Sequence, residues 1–353
     1  FISGSFIDVA IPTFNVADGT DDVDLQVSNI IQRGNIIKSG AGKLLLTANN
    51  NLVTAGSHHS VTINAGALEI GATGRLVSGS YAGNINNQGT FIYSGNNAQT
   101  LSGVISGTGG LTKNGTDTLT ISGANTYTGA TAINRGGVTL DFSAATPTTN
   151  ILAATSALSM GGGTLTLTGK ASTTNAQTFA GLTLNSGANA IVLTANATAN
   201  PLALTVGAIT ANAGATLNVT LPAGTLAANN GFNTTTAAVN GILGGYATAN
   251  AGAGWLVPSA AGSSALSGEV AMPLTGATST VNYAVTATAA TTASQSVNAL
   301  RLSPAAATTL TIGTGFTHRL PGTGSALAEQ NSNIDIDLMT GQMLLTSTRS
   351  DIQ

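Results

Sequence analysis

The chain has 353 residues, 7% of them charged and 4% aromatic, with 42% hydrophobic residues, a formal net charge of −3 and no cysteine. A mean hydropathy of +0.28 and only eight prolines exclude a disordered chain, which would combine low hydrophobicity with charge or proline. Gly, Asn and Thr interrupt every apolar run before the ~18 residues that a membrane helix needs, and the sparse Lys and Arg leave no footprint for nucleic acid.

The first stretch, FISGSFIDVAIPTFNVADG, is the most apolar and aromatic of the sequence. Phe1, Phe6, Ile7, Ile11 and Phe14 are material for a cap over residues 1–33, or for a strand that pairs with another copy of the protein. Directly after it come Asp18, Asp21, Asp22 and Asp24. Carboxylates at this density suit Ca²⁺, which takes six to eight oxygens. The spacing is neither that of an EF-hand loop nor that of the calcium-binding nonapeptide repeat, so a solvated turn competes with the metal site.

Repetition begins at Lys38. Residues 38–50, KSGAGKLLLTANN, and 113–125, KNGTDTLTISGAN, both fit K-x-G-x-x-x-L-x-[LI]-[TS]-x-x-N. Each is followed by a second shared unit, INAGALEI from Ile63 and INRGGVTL from Ile133. The first copy carries an insertion with His58 and His59, expected as a loop on one face of the array. Adjacent His residues on a strand point to opposite sides and do not chelate one metal. Each unit couples a Gly turn to a short alternating strand, such as Leu119-Thr120-Ile121, which sends aliphatic residues to one face and Thr to the other. Echoes follow in GGGTLTLTG from Gly161, AGLTLNSGANAIVLTAN from Ala180 and ITANAGATLNVTL from Ile209.

Small aliphatic residues at the inward positions imply a thin stacked core. The expected fold is all-β, a parallel β-helix (β-solenoid) of short Gly/Asn/Thr-rich strands over residues 34–224, with an array of β-sandwich domains as the alternative. At about 20 residues per coil the whole chain would make roughly 15–18 turns. Residues 225–292, with Trp255, read as irregular rungs with long loops or as a side lobe, and residues 293–353 as C-terminal β rungs. A solenoid draws its stability from neighbouring rungs, which accounts for the missing cysteines. The sequence opens at Phe1 without a basic and apolar leader and reads as a mature product or as part of a longer protein.

The run from Ile105 to Leu140, ISGTGGLTKNGTDTLTISGANTYTGATAINRGGVTL, resembles the autotransporter-associated β-strand repeat, also called the passenger-associated transport repeat. It fills nearly every position of GxGGLxKxGxxxLxLSGxNTYxGxTxINxGxL, with departures at Ala130, Ala132, Gly137 and Val138. The copy from Ile36 to Ile70 fits more loosely. The resemblance implies a right-handed β-helix passenger, exported across the envelope and then displayed or released, at the outer surface of a bacterium or outside it. It does not imply catalysis. Such proteins often end in a membrane β-barrel; the final LLTSTRSDIQ lacks repeated lipid-facing strands with aromatic girdles.

No P-loop, nucleophile elbow or HExxH motif is present; Gly42-Lys43 and Gly169-Lys170 are followed by Leu44 and Ala171. Glycoside hydrolysis needs two carboxylates about 5–9.5 Å apart, and no such pair stands out among 13 acidic residues. Thr164, Thr166 and Thr168 form a ladder of the kind found on ice-binding faces, which is also the ordinary outer face of a strand. His318 is isolated, and Asp335 and Asp337 alternate with Ile on the solvent side of one strand. The expectation is therefore a non-enzymatic structural protein without cofactor, a stalk, scaffold or filament subunit whose partner is itself, assembled head to tail. The alternatives are a monomeric adhesin that binds a cell-surface glycan and, behind it, a polysaccharide-degrading β-helix.

Overall fold

A computed structural model gives the fold. It describes residues 6–8, 11–54, 57–251 and 254–266, and further on separate short stretches up to residue 345. Phe1 lies outside the described residues, as do the side chains of His318, Asp335 and Asp337. The protein divides into two compact units, Phe1–Thr236 with Ser259–Ser263, and Ala237–Pro258 with Ser264–Gln353.

The first unit is a parallel β-solenoid of about nine turns with almost no helix. Face one is a ten-stranded sheet that runs from Leu25–Val27 through Ala67–Ala72 and Gly110–Lys113 to Leu202–Ala211 and Gly231–Thr234. Face two climbs from Ser80–Tyr81 through Thr118–Ile121 and Thr164–Thr168 to Ala215–Thr220. Face three is a five-stranded sheet from Thr13–Asn15 to Ile105–Ser106. Each strand pairs in parallel with its counterpart one coil away, for example Thr118–Ile121 with Gly137–Asp141. This pairing decides against the β-sandwich alternative, whose hairpins would pair sequential strands antiparallel.

The alternation read from the sequence is the alternation of burial. On face two, Leu119, Val138, Leu165 and Ile191 stack in register, as do Leu101, Ile121, Leu140, Leu167 and Leu193, and all of them are buried. The outward column reads Thr100, Thr120, Thr139, Thr166, Val192 and Thr220. Burying one such aliphatic residue contributes about 1.5–3 kcal/mol, and each rung supplies several.

A uniform coil of about 20 residues does not form. Asn50 bonds back 19 residues to Ile31, whereas Asn230 bonds back 28 residues to Leu202. Later rungs carry longer corner segments, such as residues 142–157, and so fewer rungs fit the sequence than the roughly 15–18 expected. The strands Asn175–Leu184 and Leu202–Ala211 are also longer than any earlier one, ten residues each. The insertion with His58 is an antiparallel hairpin, Val53–Thr54 against Ser57–His58, rather than an open loop.

The second unit opens with antiparallel strands, Ala247–Ala249 with Gly254–Val257 and the latter with Ser264–Ala265. Parallel pairing returns in Val270–Ala271, Asn282–Val285 and Ala299–Leu302. Ile242 and Trp255 form a small buried cluster with Leu266 packed against it.

Buried amides tie the corners of the first unit. Gln99 accepts from the Leu76 N–H at 2.8 Å and donates to the Leu76 and Thr100 carbonyls. Gln177 repeats this pattern with the N–H of Leu152 and the carbonyls of Leu152 and Thr178. Each glutamine amide thus replaces a rung-to-rung peptide contact at a place where the ladder is broken. We expect Gln177→Leu to leave the Leu152 peptide unsatisfied and to cost about 1–3 kcal/mol. That lowers the thermal midpoint by about 2–4 °C per kcal/mol. Thr166→Val, on the outer column, should stay within about 0.5 kcal/mol. Paired melting curves of the two variants check this.

Candidate functional site

The two copies of K-x-G build the same corner. Lys38 is fully buried, and its ammonium donates to the carbonyls of Ser39 (3.0 Å), Gly40 (2.8 Å) and Ala65 (3.2 Å). Lys113 is equally buried, donates to the Gly115 carbonyl and lies 5.7 Å from the centroid of the Tyr93 ring. In both copies the Lys reaches the Gly two residues on. The Asn that closes the motif is equivalent too. Asn50 accepts from the Ile31 N–H and donates to the Ala48 carbonyl. Asn125 accepts from the Ile105 N–H and donates to the carbonyls of Gly123 and Ile151. In the second shared unit Gly66 and Gly136 both take φ +66°, and a Cβ on either would lie 2.4 Å from a backbone carbonyl oxygen of the preceding rung.

The copies nevertheless sit on different sides of the coil. Lys38 is the penultimate residue of the face-three strand Ile36–Ser39, which leads to Lys43–Leu46 on face one. Lys113 ends the face-one strand Gly110–Lys113 and leads to Thr118–Ile121 on face two. Each shared unit is therefore one strand, one corner and the next strand, and the second unit of each copy stacks on the first one coil later. The recurrent Lys is a charged residue type that is rarely buried, and sequence reasoning did not place it inside. Its position two residues before Gly in both copies was the available signal.

The acidic turn is held by its own backbone. Asp24 accepts from Gly19 N–H at 2.6 Å and from Lys43 N–H, on the next rung, at 2.7 Å. These bonds, that from Lys43 first and that from Gly19 second, hold its carboxyl below the usual range. Asp22 pairs with the Lys43 ammonium at 2.9 Å, and Glu69 approaches the same ammonium at 3.5 Å. Asp18 and Asp21 make neither of these contacts. Among the described residues no three His, Cys, Asp or Glu residues gather as a metal-binding group. His58 lies edge-on to Tyr81, with ring centroids 5.8 Å apart, and the Tyr81 hydroxyl donates to the His59 carbonyl. The two His residues thus fasten the hairpin to the flank of the coil.

Part of the apolar N-terminal stretch pairs within the protein. Phe6–Asp8 pairs with Ile30–Gln32, which aligns Phe6 with Ile30 and Ile7 with Ile31. Phe14 is buried in a strand paired with Ile36–Ser39. Ile11, 54% exposed, is the described apolar residue of this stretch that points to water.

Stacked rungs, inward polar groups bound to backbone and a Thr-rich outer column define the first unit as a parallel β-solenoid. Residues 36–70 and 111–140 match the sequence model of the passenger-associated-transport-repeat, and that repeat is present in this protein. Over 238 residues it is 30% identical to the adhesin BmaC autotransporter of Brucella suis biovar 1 (strain 1330). That alignment takes in 62% of this chain, which spans 7% of the relative's length. No solved structure matches. No helix among the described residues is long and apolar enough to cross a membrane.

The buried lysines and tyrosines give stability a defined pH profile. Desolvation lowers Lys113 to about 8, against 10.5 for the ordinary ammonium, and lowers Lys38 as well. Between pH 8 and 10.5 the unfolded state holds the Lys113 proton more tightly than the folded one, so stability rises with pH across that window, and the lowered Lys38 adds in the same direction. Burial pushes Tyr93 up to about 12 and raises Tyr81 and Tyr127 further. Unfolded tyrosines ionise near pH 10, so stability falls above it. The thermal midpoint should climb from pH 8 to about pH 10 and then drop. Lys113→Met should flatten the climb and keep the drop, which melting curves across this pH range would read.

Proposed function

We propose that this protein is a non-catalytic stretch of surface-displayed passenger that acts as an adhesive scaffold: a stacked coil that holds a neutral, repetitive face and a flank hairpin away from the cell. The observation that carries this reading is the direction of its polar chemistry. Lys38, Lys113, Gln99, Asn125 and Gln177 point inward and bind backbone, while the outward column of face two is Thr over successive rungs. The similarity to an adhesin supports the same reading. Its ligand class would be a cell-surface glycan, read by many weak neutral contacts rather than by charge.

A second reading, self-assembly end to end, has its own support. Phe6–Asp8, Thr13–Asn15 and Leu25–Val27 each have one strand partner among the described residues. Their other backbone edges are templates for a further strand. A heterologous contact of this kind propagates into a filament of stalk or scaffold type.

Displayed on a non-adherent bacterium, the protein should raise attachment to a host-cell or glycan surface, and the gain should be insensitive to added salt. Release of reducing ends from a polysaccharide panel, with no gain in attachment, would contradict the first reading. Electron microscopy of the concentrated protein separates the second, with filaments supporting it and monodisperse particles contradicting it.

A further inference from the structure

Three Asn-Gly pairs occur in the sequence, at Asn114-Gly115, Asn230-Gly231 and Asn240-Gly241. Asn-Gly is the dipeptide most open to intramolecular attack, because glycine leaves the following backbone nitrogen unshielded. The fold treats the three pairs very differently. At Asn114 the Gly115 nitrogen is buried and donates to the Tyr93 carbonyl at 3.3 Å, while the amide oxygen of Asn114 accepts from Asn134 at 2.9 Å. Asn230 is 5% exposed. Its amide is locked by the Leu202 N–H and by the carbonyls of Ala223 and Thr225.

Asn240 and Gly241 are instead exposed at the tip of a two-residue hairpin. Val239 and Ile242 close it with hydrogen bonds of 2.8 and 3.2 Å. Asn240 and Gly241 have φ of +50° and +83°, the pattern of a type I′ turn. Gly241 is exposed, and a Cβ built on it would meet nothing within 4 Å.

We propose that Asn240 is a site of spontaneous covalent modification, because its glycine stands in an exposed turn whereas Gly115 and Gly231 are buried. The Gly241 backbone nitrogen gives up its proton and attacks the amide carbon, Cγ, of Asn240. A bond forms between that carbon and the Gly241 nitrogen, the bond from Cγ to Nδ2 breaks and ammonia leaves, which closes a succinimide. Water then opens either carbonyl of the ring and yields aspartate or isoaspartate, with no oxidant or reductant involved. Both products add one negative charge to a protein with only 10 basic and 13 acidic residues. Isoaspartate also adds one atom to the backbone of a two-residue turn. The Val239–Ile242 pair then loses its register, and with it the anchor that Ile242 makes against Trp255. An extracellular protein that is not renewed would accumulate this change with age.

The test is incubation of the folded protein in mildly alkaline buffer, with peptide mass spectrometry to locate each amide-to-acid conversion and isoelectric focusing to follow the charge. Asn240 should convert several-fold faster than Asn114 and Asn230, which should react only once the protein is denatured. Asn240→Gly, which tolerates the positive φ of the turn, should abolish the early acidic species while the melting curve stays close to that of the parent protein. Conversion of Asn114 or Asn230 at the rate of Asn240 in the folded protein, or an intact Asn240 after both others have reacted, would overturn the proposal.

Discussion

Every corner of a thin β-solenoid breaks the ladder of backbone hydrogen bonds, and the broken groups face an apolar interior that cannot solvate them. This protein answers with side groups that act as pieces of backbone. Gln99 and Gln177 each bind both the N–H and the carbonyl of one residue on the previous rung. Asn125 and Asn230 accept the first N–H of a strand and Asn50 the second, and Lys38 and Lys113 satisfy carbonyls at Gly turns. A buried polar group without its partner costs more than a typical hydrogen bond contributes. These positions therefore set the register in which the aliphatic columns can stack.

The general architecture was legible from two signals, the alternation in segments such as Leu119-Thr120-Ile121 and the twin K-x-G…N units. Both are local, and parallel stacking preserves them. Coil length was not legible, because a corner can absorb an insertion without disturbing the strands it joins: the rung-to-rung offset is 20 residues at Asn125 and 27 at Asn189. The amide stitches could have been found. The tetrapeptide Asn-Ala-Gln-Thr stands at 97–100 and again at 175–178, and it delivers Gln99 and Gln177 to equivalent roles. The backbone bonds of Asp24 were not legible, because Gly19 and Lys43 meet it only through the turn and the next rung.

That the two repeat copies occupy different sides of the coil changes the meaning of the repeat. A motif that fixed a whole coil would recur on one face. A motif that specifies a corner can be used at any corner, and here it joins face three to face one in the first copy and face one to face two in the second. The outer residues are then free of structural duty, which suits a passenger whose surface varies over a constant frame. With Lys38, Lys113, Gln99, Asn125 and Gln177 turned inward, face two carries outside a column of threonines at the spacing of stacked strands, about 4.8 Å.

The account depends on corner peptides being held as firmly as strand peptides, and residue-resolved hydrogen exchange measures that directly. The amides of Ile31, Ile105, Leu152 and Leu202, bonded by Asn50, Asn125, Gln177 and Asn230, should exchange as slowly as those at the centres of Thr118–Ile121 and Thr164–Thr168. Exchange at these four positions at the rate of open surface loops, beside protected strands, would contradict it.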